Sequence, residues 1–140
     1  MHEHCGVFGV YAPGEDIARL TFFALFALQH RGQESAGIAT TDGEKLQVYA
    51  AMGLVSQVFN EDSLKQLTGD IAIGHNRYST RGSSRPTNTQ PIVVGDGSNT
   101  IAVAHNGNIV NVEHLYEELS SQGYTFRSST DTEVIANLIL

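Results

Sequence analysis

The sequence predicts an α+β fold built on antiparallel sheets, and two observations carry that expectation. Apolar, β-forming runs come in pairs joined by glycine-containing turns. One pair is Ala36–Thr40 and Leu46–Tyr49 around Asp42-Gly43-Glu44; the other is Pro91–Val94 and Thr100–Ala104 around Gly95-Asp96-Gly97. Segments of helical periodicity are interleaved with these hairpins, which favours stacked α and β layers over a parallel βαβ arrangement.

In chain order, Val7, Phe8, Val10 and Tyr11 form a first buried strand, and Ala12-Pro13-Gly14 turns the chain. Glu15 or Asp16 opens a helix to about His30, whose Ile17, Leu20, Phe23, Leu25, Phe26 and Leu28 are distributed nearly all round, predicting deep burial. Beyond the first hairpin come short helices near Ser56–Phe59 and Glu61–Leu67, then a buried strand, Ile71–Asn76. The stretch from Arg77 to Asn88 has almost no apolar residue and reads as a lid over an active site. After the second hairpin, Asn111 is expected to cap a helix carrying Val112, Leu115, Tyr116 and Leu119 that stops before Gly123. Thr130-Asp131-Thr132-Glu133 reads as a capping box opening a last helix. That helix is still apolar at Leu140, so the fold is expected to be truncated at its C-terminal end.

At 140 residues the chain is at most one domain, long enough to bury a core. Its net charge of −7 argues against nucleic acid as a partner. A single cysteine excludes a disulfide framework and a thiolate-only zinc site, and suits a reducing compartment. The longest apolar segment, Leu20–Leu28, is too short to span a bilayer, and the start Met-His-Glu-His lacks the features of a secretory signal. A soluble cytoplasmic protein is the expectation. His2, His4 and Cys5 are too crowded on a flexible end to make a defined metal site, so none is assigned.

Chemistry-bearing residues lie where strands end or helices begin. Cys5 is the only thiol and stands just before the first strand. An N-terminal Cys would have its own α-amine, titrating near ~7.7–8.0, as a general base; the bland alternative is a buried structural Cys. In Gly74-His75-Asn76-Arg77-Tyr78-Ser79-Thr80, an arginine at the mouth of a buried strand suits a bidentate clamp on a carboxylate, or is a surface arginine paired with an acid. In His105-Asn106-Gly107-Asn108, the Asn amide and the Gly N–H provide the two adjacent donors an oxyanion hole needs, though Asn-Gly also makes hairpin turns. Asp131, at a helix N-terminus, either holds a substrate ammonium or only caps the helix.

Together Cys5-Gly6-Val7-Phe8-Gly9, Gln29-His30-Arg31-Gly32-Gln33-Glu34-Ser35-Ala36-Gly37-Ile38, Gly74–Thr80, His105–Asn108 and Ser129–Glu133 are far more specific than singly. In this order they resemble the N-terminal glutaminase domain of the amidophosphoribosyltransferases, within the class II glutamine amidotransferases. Gln33-Glu34, where glucosamine-6-phosphate synthases tend to carry Tyr-Asp, favours the purine-synthesis branch; those synthases, another N-terminal-nucleophile hydrolase and a non-catalytic amino-acid-binding module are the alternatives.

The resemblance implies an N-terminal-nucleophile (Ntn) hydrolase fold, a four-layer αββα sandwich with antiparallel sheets. It implies Cys5 as nucleophile, Asn106 and Gly107 as oxyanion donors, and Arg77, Thr80 and Asp131 as glutamine-binding residues, with the segment from Arg77 to about Arg85 closing over the substrate. Residues 1–4 would be a propeptide, and residues 5–140 an incomplete amidotransferase domain lacking its phosphoribosyltransferase partner. The ammonia formed would serve to make 5-phosphoribosylamine from phosphoribosyl pyrophosphate. No cofactor is expected within the chain: Mg2+ would belong to the absent transferase domain, and an iron–sulfur cluster would need cysteines outside these residues. The full-length enzyme would be a homo-oligomer that engages neither nucleic acid nor membrane.

Overall fold

The computed structural model describes residues 5–78 and 84–140. Strand β1 (Gly6–Tyr11) leads into helix α1 (Ile17–Ala27), and strands β2 (Ser35–Thr41) and β3 (Leu46–Met52) form the first hairpin. Short helices α2 (Val55–Val58) and α3 (Glu61–Gln66) precede strand β4 (Ile71–Arg77). Strands β5 (Ile92–Asp96) and β6 (Asn99–Val103) form the second hairpin, followed by helices α4 (Val112–Ser121) and α5 (Asp131–Ile139).

The first sheet is antiparallel throughout, in the order β1-β4-β2-β3, and β5 pairs with β6 in a second sheet. Adjacent residues of a strand point to opposite faces, so the atoms around neighbouring glycines show what covers each face. A Cβ on Gly74 would meet Thr21 and Leu25 of α1 within 3.0 Å. A Cβ on Gly37, opposite His75 in the ladder, would lie 2.0 Å from the Gln90 carbonyl oxygen. One face therefore carries α1 and the other the chain entering β5, and glycine at 37 is what lets that backbone lie on the sheet. Helix α5 packs on β5 and β6, with α4 against it. The order of layers is helix, sheet, sheet, helix, as the sequence led one to expect.

The main core lies between α1 and the first sheet, where Ala18, Leu25, Ala36 and Ile38 join Val55, Val58, Phe59 and Leu64. A second cluster joins Ile92 and Val94 to Ala136 of α5. Asn76 donates to the Leu25 carbonyl at 2.7 Å and ties β4 to the end of α1. No helix among the described residues is long and apolar enough to cross a membrane.

Five local expectations need correction. Strand β1, at the edge of the first sheet, is not buried along its length: Val7 and Tyr11 are exposed. Helix α1 stops at Ala27, and a 3-10 turn, Gln29–Arg31, continues it. It is not covered all round either: Leu20, Phe23 and Phe26 are exposed, because the sheet reaches only the side bearing Ile17, Ala18, Thr21 and Leu25. The Asn111 side chain makes no capping bond. At α5, neither Thr130 nor Glu133 closes a capping box; Glu133 reaches back instead, accepting from the N–H groups of Arg127 (2.9 Å) and Ser128 (2.6 Å) and from the Ser128 hydroxyl.

Candidate active site

Strand pairing assembles the site. Gly6 stands opposite Asn76, so Cys5 is delivered beside the C-terminal end of β4. Its Sγ lies against the Tyr78 backbone, 3.4 Å from the amide nitrogen and 3.5 Å from the carbonyl oxygen. The Cys5 carbonyl accepts from Asn106 Nδ2 at 2.8 Å and from Arg31 Nε at 3.3 Å. Arg77, the last residue of β4, is 3% exposed, so it is not a surface arginine, although it is paired with an acid as the alternative supposed. Its Nη1 lies 3.6 Å from Glu34 Oε1.

Asn106 and Gly107 come just after β6, in the connection to α4, so they are not the turn of the second hairpin. A Cβ on Gly107 would fall 2.7 Å from His105 Nε2, so only glycine fits with the ring in place. The preceding residue is held at both ends: the His105 N–H donates to Gln90 Oε1 at 2.8 Å, and its carbonyl lies 3.2 Å from His75 Nε2. His75 is fully buried, and burial pushes its imidazole down to about 4. The positive charge of Arg77 works in the same direction, and the bond to the His105 carbonyl opposes it.

Asp131 begins α5. Its Oδ2 accepts from the Ile109 N–H at 2.9 Å, and its Oδ1 lies 3.7 Å from His105 Nδ1, so the carboxylate joins α5 to the 105–109 loop. Asn88 holds the approach to α5, accepting from the Ser129 N–H at 3.0 Å and donating to the Ser129 hydroxyl at 3.0 Å. Asn88 is fully buried inside a 3-10 turn, so the end of the expected lid is packed into the fold, while residues 79–83 lie outside the described ones.

Cys5, Arg77, Asn106, Gly107 and Asp131 line one cavity of about 350 Å3, a size suited to a small metabolite. Thr80 and the expected propeptide, residues 1–4, lie outside the described residues. Among the described residues no group of three or more His, Cys, Asp or Glu converges as a metal would require. Arg31, Glu34, His75, Gln90 and His105 border this site without a role that the sequence predicts. Polar His75 and Asn76 inside an apolar strand were the available signal for β4, whereas nothing local marks Gln90.

The model of the family described as "glutamine amidotransferase domain" matches residues 60–140. The chain belongs to the glutamine amidotransferase domain family. An amidophosphoribosyltransferase of Synechococcus elongatus is 51% identical over 138 residues, spanning 99% of this chain and 28% of the relative. A solved "allosteric regulatory enzyme of purine biosynthesis" superposes with a TM-score of 0.87 at 46% identity, over 95% of this chain and 29% of the other. The glutamine phosphoribosylpyrophosphate amidotransferase of B. subtilis, solved with ADP and GMP, gives a TM-score of 0.85 at 45% identity, over 95% and 28% of the two chains. These glutamine amidotransferase neighbours share the layered, antiparallel Ntn architecture, and this chain spans under a third of their length.

Proposed function

We propose that the cavity binds free glutamine and hydrolyses its side-chain amide to glutamate and ammonia. The observation that carries this reading is the meeting, in one small cavity, of the only thiol, a buried guanidinium, a carboxylate and an Asn-Gly donor pair. A guanidinium with a carboxylate selects a free α-amino acid: Arg77 takes the α-carboxylate, and Asp131 takes the α-ammonium. Thr80 completes the substrate-binding set in this proposal.

In the reaction, Cys5 is the first residue of the mature protein, residues 1–4 having been removed. Its α-amine accepts the thiol proton, and the sulfur attacks the amide carbon of glutamine. The Asn106 side-chain amide and the Gly107 N–H hold the resulting oxyanion. Collapse breaks the carbon–nitrogen bond, and the ammonium formed from the amine protonates the departing nitrogen, which leaves as ammonia. A water molecule, deprotonated by the same amine, attacks the thioester; a second collapse releases glutamate and restores the thiol.

In the whole protein, the ammonia would displace pyrophosphate from phosphoribosyl pyrophosphate on a separate transferase domain, giving 5-phosphoribosylamine. What supports this is the identity of about half the residues with relatives bearing the amidophosphoribosyltransferase name. The same proposal includes cytoplasmic location, a homo-oligomer, Mg2+ at the transferase domain and any iron–sulfur cluster on cysteines other than Cys5.

A diazoketone analogue of glutamine tests the site in the full-length protein. We expect one label per chain, on Cys5, blocked by excess glutamine, and an intact mass for the active protein that begins at Cys5. A label elsewhere would favour the amino-acid-binding module. Full glutaminase activity in a protein still beginning at Met1 would overturn the mechanism, because a peptide nitrogen accepts no proton at neutral pH.

A further inference from the structure

His105 has no part in the chemistry above, yet two buried side chains grip its backbone. His75 Nε2 lies 3.2 Å from its carbonyl oxygen, and Gln90 Oε1 accepts its N–H at 2.8 Å. His75 is fully buried, and Gln90 is 6% exposed. The carbonyl can only accept, so the ring proton must sit on Nε2. That leaves Nδ1 bare, and it is buried without a hydrogen-bond partner among the described residues. A second proton would have to go there, in a pocket that also faces Arg77 and His105, and burial accordingly pushes the ring down to about 4. His75 is thus a neutral donor across the neutral pH range.

The two bonds fix different peptide planes. The His105 N–H lies in the plane before its Cα, and the His105 carbonyl lies in the plane after it. With both planes held, the direction in which the chain leaves toward Asn106 is fixed, and Gly107 follows one residue on. The ring of His105 then stands over Gly107, where a Cβ would fall 2.7 Å from it.

We infer that His75 and Gln90 are positioning residues, a two-sided clamp on the His105 backbone that aims the Asn106 amide and the Gly107 N–H at the oxyanion. The inference rests on the glutaminase reading. Both bonds of the clamp are made to the His105 backbone and neither to Arg77 or Asp131; because the His105 ring also lies 3.7 Å from Asp131 Oδ1, the mark of the clamp is a loss in kcat larger than any change in KM.

The test is steady-state glutaminase kinetics of the full-length protein with His75→Leu, His75→Gln and Gln90→Leu. Misplacing a catalytic group by about 1 Å can cost ~10²-fold, so His75→Leu and Gln90→Leu should lower kcat by about 10- to 100-fold with KM held within about 3-fold. His75→Gln offers an N–H near the position of Nε2 and should restore most of kcat. Neutron diffraction of the deuterated wild type should show the deuteron on Nε2, a measurement that does not depend on any variant folding. A deuteron on Nδ1 with Nε2 bare would overturn the clamp, as would a His75→Gln no better than His75→Leu, or an effect on KM alone. A wild type inactive on glutamine would overturn the glutaminase reading and this inference together, whereas an active wild type whose His75→Leu variant keeps its kcat would overturn this inference alone.

Discussion

The Arg77 guanidinium lies 3.6 Å from the Glu34 carboxylate, with the two side chains only 4% and 16% exposed. Their backbones are joined as well, the Glu34 N–H donating to the Arg77 carbonyl at 3.1 Å. A buried cation needs a nearby counter-charge, and Glu34 provides it. The same pairing explains how a charged residue can end a strand that is otherwise packed on both faces.

Arg77→Lys keeps the charge and loses the two-pronged geometry. Glutamine kcat/KM should fall by at least ~10-fold, about 1.4 kcal/mol, with the melting temperature little changed. Steady-state kinetics beside a thermal melt decide this, and unchanged kinetics would remove Arg77 from the site.

Asp131→Asn keeps an oxygen for the Ile109 N–H but removes the charge and turns the second oxygen, 3.7 Å from His105 Nδ1, into an NH2 donor. KM for glutamine should rise by about 10-fold or more, the factor expected for losing a charge-assisted bond of ~1.5–3 kcal/mol. Asp131→Ala should lose the loop contact too and melt earlier. If the Asn variant binds glutamine as well as wild type, the carboxylate serves the loop and not the substrate.

Asn106→Ala should lower kcat by on the order of 10²–10³ and leave KM nearly unchanged, since its amide is needed most when the oxyanion forms. Movement of KM alone would make Asn106 a substrate-binding or loop-holding residue. Ammonia-dependent synthesis by the full-length protein should survive this change, because it bypasses the thiol.

The depressed His75 gives stability a pH dependence with a definite sign. From an ordinary value of 6.5 to about 4 in the fold, the unfolded chain binds the extra proton in that window and the folded one does not. Stability from this residue is complete above about pH 6.5 and is lost as pH falls toward 4, by at most about 3 kcal/mol. Denaturant melts between pH 7 and 4 should show His75→Gln losing less stability on acidification than wild type. An equal loss in the two proteins would mean that His75 is already protonated, or accessible, in the fold.

Much of the fold was legible because its signals are local. Turn residues at 42–44 and 95–97 mark the two hairpins, and apolar, β-forming runs mark the strands on either side. The errors arose where a local signal competed with packing. Helix α1 has apolar residues nearly all round, yet a sheet can cover only one side of a helix, and Phe23 and Phe26 stay exposed. The Thr130–Glu133 spacing suits a capping box, but Glu133 finds three donors at Arg127 and Ser128 and takes those instead.

By itself the sequence determined the kinds of chemistry present: one thiol beside the first strand, an arginine closing a buried strand, an Asn-Gly pair beyond another and an acid opening a helix. Each of these is a property of a residue and its immediate neighbours. Only the tertiary structure decided which of them meet, because that depends on sheet register. Pairing Gly6 with Asn76 sets Cys5 beside Tyr78, and Gly37 admits the Gln90 backbone. The bonds of Gln90 and His75 to His105 then span 15 and 30 residues of sequence. No local pattern encodes a contact over such distances, since its geometry follows from how the two sheets stack.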